Sequence, residues 1–295
     1  DFVNILQSNP TLVARYPNGL LAPGRFRNNP LLVDQSGFDK VQDYQLNTTF
    51  TATYEAPFLK GLTVDATYNY DLRNEFEKLL EKPFYYHEYN VQTGEYDRMI
   101  TPGRVNELRD DYRKWTMSLF NLRVSYRKTI SKDHNLAVML GGEQQKGTYN
   151  ALWGYRMNNV TAAVPQLDVG SRNPTDKDNG GTAAESAYIN YLGRLNYDFK
   201  SKYLFEFVFR YDGSSIFPDQ NRFGFFPAVS AGWRLSEENF ISGNLPFVNE
   251  LKLRASYGEL GNDRVPGYQF LQAYEFGNAV FGGSGVPAIV PSTSP

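Results

Sequence analysis

Two histidines, His87 and His134, are the chain's whole supply of imidazole, and a zinc centre or a nucleophile–base pair would have to unite them. The connection pattern read below puts them at opposite ends of the fold, so they form no such pair. The carboxylate pairs Asp110-Asp111 and Glu237-Glu238 are sequence neighbours, and neighbours in an extended chain face opposite sides. Gly258-Glu259-Leu260-Gly261-Asn262 is not a phosphate loop, because no helix and no Gly-Lys-Ser/Thr follows it. Asp176-Lys177-Asp178-Asn179-Gly180 opens like a calcium loop. The glutamate needed six residues after the glycine is missing, however: Ser186 stands there, with Glu185 one place short, and the stretch reads as a solvated loop. Cysteine is absent, which excludes disulfides and thiolate metal sites. These residues give no catalytic centre, no metal site and no cofactor site.

What remains is a set of aromatic and polar side chains in two loop stretches: Tyr85, Tyr86, His87 and Tyr89 in one, Trp153, Tyr155 and Arg156 in the other. Rings of this kind stack on sugars or on peptide side chains, with an arginine as polar handle. The plainer reading is that they pack loops against one another or against a lid.

The elements that would position them follow from Tyr203-Leu204-Phe205-Glu206-Phe207-Val208-Phe209-Arg210-Tyr211-Asp212. Every odd position is aromatic, and the even positions include Glu206, Arg210 and Asp212, so the period is two and the strand has two unlike faces. One face is too apolar for water, and no run is long enough for a membrane helix. A transmembrane β-barrel reconciles the two, with rings toward lipid and charges toward a wet lumen.

The same alternation recurs along the chain. Residues 1 to 43 hold Pro10, Pro17, Gly19, Pro23, Gly24, Asn28-Asn29-Pro30 and Gly37 and read as an irregular extracellular loop region with a short helix near Phe2 to Gln7. Strands are expected over Tyr44 to Glu55, Leu62 to Asp71, Lys114 to Thr129, Leu136 to Gln145, Ala187 to Tyr197, Tyr203 to Asp212, Phe225 to Leu235 and Leu251 to Gly258, placing the barrel wall at 44–258. Long loops are expected at 72–113, with a small hairpin around Phe84 to Asn90 and a turn at Gln92 to Glu95, and at 148–184. Residues 236 to 250 include a helical turn at Glu237 to Ile241, and 259–295 read as an extracellular loop cut mid-course. Short periplasmic turns and long extracellular loops are the habit of outer-membrane barrels. The turns at 57–61, 131–134 and 198–202, with 236–250, therefore face the periplasm.

Composition agrees. Aromatics are 15% of 295 residues, with 21 Tyr and 21 Phe, as interfacial girdles require. A formal charge of −2 gives no electrostatic case for nucleic acid. The mean hydropathy of −0.50 is no objection, because a polar lumen dilutes the lipid-facing half.

From Arg210-Tyr211-Asp212-Gly213-Ser214-Ser215, through Arg222-Phe223-Gly224-Phe225-Phe226-Pro227-Ala228-Val229-Ser230-Ala231-Gly232-Trp233-Arg234-Leu235-Ser236-Glu237-Glu238-Asn239-Phe240, to Leu251-Lys252-Leu253-Arg254-Ala255-Ser256-Tyr257-Gly258-Glu259-Leu260-Gly261-Asn262, the chain resembles the barrel signature of SusC/RagA-type TonB-dependent outer-membrane transporters. The resemblance implies about eight strands of a larger barrel, of about 22 strands in that family. It also implies a plug domain inside the barrel, a SusD-like lipoprotein lid outside, and import of oligosaccharides or peptides driven through TonB. The chain carries no segment resembling a plug, a TonB box or a signal peptide, so it reads as an internal piece of a longer protein in a bacterial outer membrane. In that setting the glycosylation patterns Asn47-Thr48-Thr49 and Asn159-Val160-Thr161 carry no weight. The lumen charges Arg194, Glu206, Arg210, Arg234, Lys252 and Arg254 would hold a plug or pair across strands. Two rivals stay open: a self-contained eight-stranded barrel of structural or porin-like type, and an outer-membrane hydrolase, against which the separation of His87 and His134 speaks.

Overall fold

The computed structural model describes residues 12–24, 29–101, 105–245, 247–265, 267, 269–271 and 274–291. In chain order the strands are β1 (Gly37–Glu55), β2 (Leu62–Glu81), β3 (Tyr85–Tyr89), β4 (Tyr96–Ile100), β5 (Glu107–Ile130), β6 (His134–Met157), β7 (Lys177–Phe199), β8 (Tyr203–Ser214), β9 (Phe223–Arg234), β10 (Lys252–Gly258), β11 (Tyr274–Phe281) and β12 (Ser284–Pro291), with one short helix, α1 (Asn239–Ser242). Eight of the strands form one sheet in the order β1-β2-β5-β6-β7-β8-β9-β10, and β3-β4 and β11-β12 are separate hairpins. Among the described residues β1 and β10 are unpaired edges of that sheet. No helix among them is long and apolar enough to cross a membrane.

Every strand expected from the sequence is present, but several run further. β2 continues from Asp71 to Glu81 and β5 begins at Glu107, so the connection between them holds little beyond the expected β3-β4 hairpin. β6 reaches Met157 and β7 starts at Lys177, which reduces the expected loop at 148–184 to 158–176. The first strand begins at Gly37 rather than Tyr44, and the stretch from Tyr274 to Pro291 is a hairpin rather than a plain loop. The cause is visible in β2 and β5. Past Asp71 the alternation is interrupted: Leu72, Phe76 and Leu80 keep one face partly apolar, but Asn74 and Lys78 break it, and Arg73, Glu75 and Glu77 charge the other. A transmembrane strand needs only about 9–11 residues, so strands of 24 residues are longer than a hydrocarbon crossing requires, and the ladder persists where the apolar face is broken by polar residues. The short helix expected near Phe2 to Gln7 and the last four residues lie outside the described residues.

Two compact units are present, each described by itself. The first takes the described residues of Asp1–Gln45, Leu72–Trp115 and Tyr149–Ala184; the second takes Leu46–Asp71, Thr116–Thr148 and Glu185–Pro295. In the first unit a small core gathers Leu32, Phe84 and Tyr86, with Leu21 packed against it.

In the second unit the register separates the faces. Tyr203 pairs with Phe199 and Trp233, and Trp233 with Leu253; Phe207 pairs with Leu195 and Val229, and Val229 with Tyr257; Tyr211 pairs with Tyr191 and Phe225. These rows share one face. The opposite face carries Asn196, Glu206, Ser230 and Ser256 in one row, with Arg194 donating to Glu206 and Arg210 Nε 2.9 Å from Asp212. Among the described residues nothing buries this end of the aromatic face: Phe205 is 40% exposed, Tyr211 41% and Phe225 54%. A soluble sandwich would bury these rings in a second layer. From Tyr203 to Tyr211 the strand rises about 27 Å, or about 20 Å along the normal at the usual barrel tilt, close to the apolar band of about 25 Å that aromatic girdles flank. Gly193 opposes Phe209, and a Cβ there would lie 2.2 Å from that ring, so the glycine is the seat on which Phe209 rests.

The short connections are tight. Lys202 N–H donates to Phe199 O at 3.0 Å, and the central residues Lys200 and Ser201 have φ of 51° and 55°. Ser131 and Lys132 have φ of 50° and 64°. Such left-handed positions favour Asn-Gly in two-residue hairpins, and a side chain there costs about 1–2 kcal/mol per residue.

The β9-β10 connection begins with a 3₁₀ turn at Leu235–Glu237 and then α1, as the sequence suggests. It is tied down by Glu238, whose Oε1 accepts from Tyr203 Oη at 2.7 Å and Trp233 Nε1 at 3.1 Å, with Lys202 Nζ 3.5 Å from Oε2. The Tyr203 hydroxyl first, then Trp233 and Lys202, hold the Glu238 carboxyl below its ordinary value.

Two outcomes are expected of the protein. Replacing Lys200→Asn together with Ser201→Gly relieves two strained positions and should stabilise the barrel by about 1 kcal/mol, read as a higher urea midpoint; a lower midpoint would refute the turn assignment. Because Glu238 is depressed in the fold, its contribution is complete above the carboxyl's unfolded value and lost as pH falls through the lower folded one. Urea midpoints of wild type and Glu238→Gln should therefore differ at neutral pH and converge in acid; a gap independent of pH would show that the charge is irrelevant.

Candidate functional site

Tyr85, His87 and Tyr89 alternate along β3 and share a face, while Tyr86 points the other way. In register, Tyr85 faces Ile100, His87 faces Arg98 and Tyr89 faces Tyr96. Arg98 lies over the Tyr85 ring, 3.8 Å from its centroid. The Tyr89 and Tyr96 rings are 5.1 Å apart, and Tyr96 is 4.7 Å from Tyr16. His87 N–H donates to Leu21 O at 2.8 Å, and its Nδ1 is buried without a partner. Tyr86 is 0% exposed in the small core, so among the residues named from sequence it is a packing residue. Arg98, Tyr96 and Tyr16 were not named; the cross-strand position of the first two is the signal that β3-β4 register supplies.

Trp153 and Tyr155 share a face of β6 and stack with an interplanar angle of 1° at 6.2 Å. Arg109 of β5 lies over the Trp153 ring at 4.5 Å, and Gly180 leaves the room the indole occupies, since a Cβ there would meet its ring at 2.8 Å. Arg156 points away from this pair and packs against Gly170, where a Cβ would lie 2.6 Å from its own. The named residues thus form two clusters in the first unit, a β3-β4 face and a Trp153–Tyr155 stack, with Arg156 apart from both.

Beside the stack, and joined to it through Arg109, runs an ion-pair network. Arg113 Nη1 reaches Glu77 at 3.0 Å and also pairs with Glu75; Arg73 bridges Asp43 and Glu75, each at 2.8 Å; Arg109 Nε is 2.7 Å from Asp111. On the other face Lys78 is 2.8 Å from Asp110 and donates to Pro165 O at 3.1 Å, anchoring the 158–176 connection. Asp176, at the end of that connection, accepts from Ser171, Asn158 and Thr175, which hold its carboxyl below the ordinary range. The stretch from Asp176 to Gly180, read from sequence as a solvated loop, is therefore the end of a capped turn and the start of β7. Among the described residues no group of three or more acidic, histidine or cysteine side chains could hold a metal ion.

In the second unit, His134 Nδ1 lies 2.7 Å from Tyr197 Oη and its ring packs on Phe199, which is the setting of an interfacial aromatic. The polar face there forms a trough of about 640 Å³ lined by Arg127, Arg194, Glu206, Lys252 and Arg254 among others. The geometry is that of a wall with a polar, charge-lined side and stacked rings.

Such a two-faced antiparallel wall is a transmembrane β-barrel segment. Over residues 3–294 the chain matches the family described as TonB dependent receptor-like, beta-barrel, and it belongs to that family. It is 31% identical over 259 residues to TonB-dependent receptor P39 of Formosa agariphila, covering 85% of this chain and 22% of that one. It is 30% identical over 167 residues to TonB-dependent receptor SusC of Bacteroides thetaiotaomicron, covering 56% of this chain and 16% of SusC. The structure of the RagAB peptide importer in its closed-closed state superposes with a TM-score of 0.74 at 21% identity, covering 94% of this chain and 29% of that one. The chain spans less than a quarter of the length of these two curated relatives.

Replacing Arg109→Met removes the cation over Trp153 and one partner of Asp111, a nearly buried carboxylate. A loss of about 1 kcal/mol is expected after allowing for solvent screening, measured as a urea midpoint of the full-length receptor; an unchanged midpoint would mean that the network does not hold the stack.

Proposed function

We propose that this chain is part of the wall of a SusC-like TonB-dependent importer of the bacterial outer membrane, and that it acts in transport rather than catalysis. The observation that carries the reading is the split wall: uncovered aromatic rows on one face, ion-paired charges on the other, within a chain of the TonB-dependent receptor family. In this reading the short connections at 56–61, 131–133, 200–202 and 235–251 face the periplasm. The longer ones at 82–106, 158–176 and 215–222, with the stretch from 259 onward, face outward.

Tyr85, His87, Tyr89, Trp153 and Tyr155 then belong to the outward end. There they would meet an oligosaccharide or peptide, or the SusD-like lipoprotein that covers it, while Tyr86 packs in the small core with Leu32 and Phe84. SusC and RagAB among the relatives favour a partnership with such a lipoprotein. Energy from TonB would enter through parts of the receptor other than this chain. The lumen charges give the wall a surface for polar cargo or for a plug.

The test is uptake by cells expressing the full-length receptor and its lipoprotein, using fluorescent oligosaccharides and fluorescent peptides. Uptake of one class is expected, abolished when the proton-motive force is collapsed and reduced several-fold by Tyr85→Ala, Tyr89→Ala or Trp153→Ala. Uptake that survives the collapse would instead identify a passive, porin-like barrel. A hydrolytic activity lost in His87→Ala, His134→Ala would identify an enzyme.

A further inference from the structure

The short-connection rim carries a second pattern. Successive hairpins are stitched side by side along it: Arg127 N–H donates to Gly61 O at 2.9 Å, Lys200 N–H to Asp133 O at 2.7 Å and Arg234 N–H to Lys202 O at 2.8 Å. Each of the three short turns holds a lysine, Lys60, Lys132 and Lys200, and none of them makes an ion pair among the described residues. Two of these lysines sit at left-handed backbone positions that disfavour any side chain, where glycine or asparagine would serve the turn better. A strained position that keeps a cationic side chain is a pointer to function. Lys200 also lies over the Phe199 ring at 5.3 Å, on the aromatic face.

The fourth connection leans the same way. Glu238 is bound to Tyr203 and Trp233, both in the aromatic row, so the chain after β9 folds toward the uncovered face and not toward the polar one. It carries Phe240, 55% exposed, and Phe247, 77% exposed. Phe58 in the first short turn is exposed too. Carboxylates are interspersed: Asp133, Glu237 and Glu250 stand on the same connections. The rim therefore joins the aromatic row through Phe199, Tyr203 and Trp233, and it has exposed rings, ammonium groups without an ion pair, and carboxylates between them.

We propose that this rim is a phospholipid-binding collar for a headgroup that carries both a phosphate and a primary ammonium, as phosphatidylethanolamine does. Lys60, Lys132 and Lys200 meet phosphates, the carboxylates meet the ammonium, and Phe58, Phe240 and Phe247 enter the acyl boundary beneath. The mixture of charges selects this headgroup over a purely anionic one, and continuity with the aromatic belt selects a bilayer over a soluble partner. The proposal rests on the membrane-wall reading given above.

The test uses the full-length receptor in nanodiscs of equal phosphatidylethanolamine and phosphatidylcholine, with native mass spectrometry of the lipids it retains on release. Wild type should retain phosphatidylethanolamine about threefold over its bulk share, a preference of well under one decade in affinity. Lys60→Gln, Lys132→Gln, Lys200→Gln should return that ratio to the bulk value, and Phe240→Ser, Phe247→Ser should lower the number of lipids retained. If the triple variant fails to fold, Lys200→Asn, Ser201→Gly removes one lysine while easing its turn, and it should lower the enrichment in part. No enrichment in wild type, or full enrichment in a folded triple variant, overturns the proposal. So does a Phe240→Ser, Phe247→Ser variant that keeps its lipids but loses a co-purifying protein. A receptor that does not enter the bilayer at all would sink the membrane-wall reading itself, whereas one that enters without preference sinks only the collar.

Discussion

In hydrocarbon there is no water to satisfy a backbone N–H or C=O, so a chain that crosses as strands must pair every one of those groups with a neighbour. The ladder between β1 and β10 answers that demand for the strands inside it, and the rest of the molecule follows from it. Once the backbone is committed to pairing, side chains alternate strictly, and the two faces must suit two different solvents. That is why Phe205, Tyr211 and Phe225 can stand exposed while Glu206 and Arg210 find Arg194 and Asp212 on the other side. Neither face resembles a soluble core, and the small core that exists, around Leu32, Phe84 and Tyr86, lies in the first unit.

The same commitment shapes the ends of the strands. At the short connections the turns are as tight as the backbone allows, tolerating left-handed Lys132 and Lys200 and fixing the one longer connection through Glu238. Where strands outlast the apolar alternation, cross-strand charges replace it. Arg73, Glu75, Glu77, Asp111 and Arg113 form a network rather than isolated surface pairs, and networks are where ion pairs count. That network borders the Trp153–Tyr155 stack, so the candidate recognition surface rests on charged strands and not on mobile loops.

The barrel strands were legible in sequence wherever alternation was clean. Tyr203 to Asp212 announced both faces, and the turn positions at 57–61, 131–134 and 198–202 followed from the breaks between runs. The upper parts of β2, β5, β6 and β7 were not legible, because Lys78, Asp110 and Arg156 put polar groups on the face that alternation would make apolar. Extended structure held by pairing partners distant in sequence leaves no local signature. Of the site, the aromatic types could be named but not their fates. Tyr86 and Tyr85 are adjacent and identical in type, yet one is core and the other exposed, a distinction set only by which face of β3 turns toward Leu32. Arg98 and Arg109 became visible only through cross-strand register.

The account stands on the claim that the aromatic face of β8 meets lipid while its other face meets water. Nitroxide labels placed singly at each position from 203 to 212 in the membrane-inserted receptor measure this directly, by collision with dissolved oxygen and with a water-soluble nickel complex. Oxygen accessibility should peak at 203, 205, 207, 209 and 211, and nickel accessibility at the positions between, with period two. Uniform accessibility, or nickel peaks at the odd positions, would contradict the account.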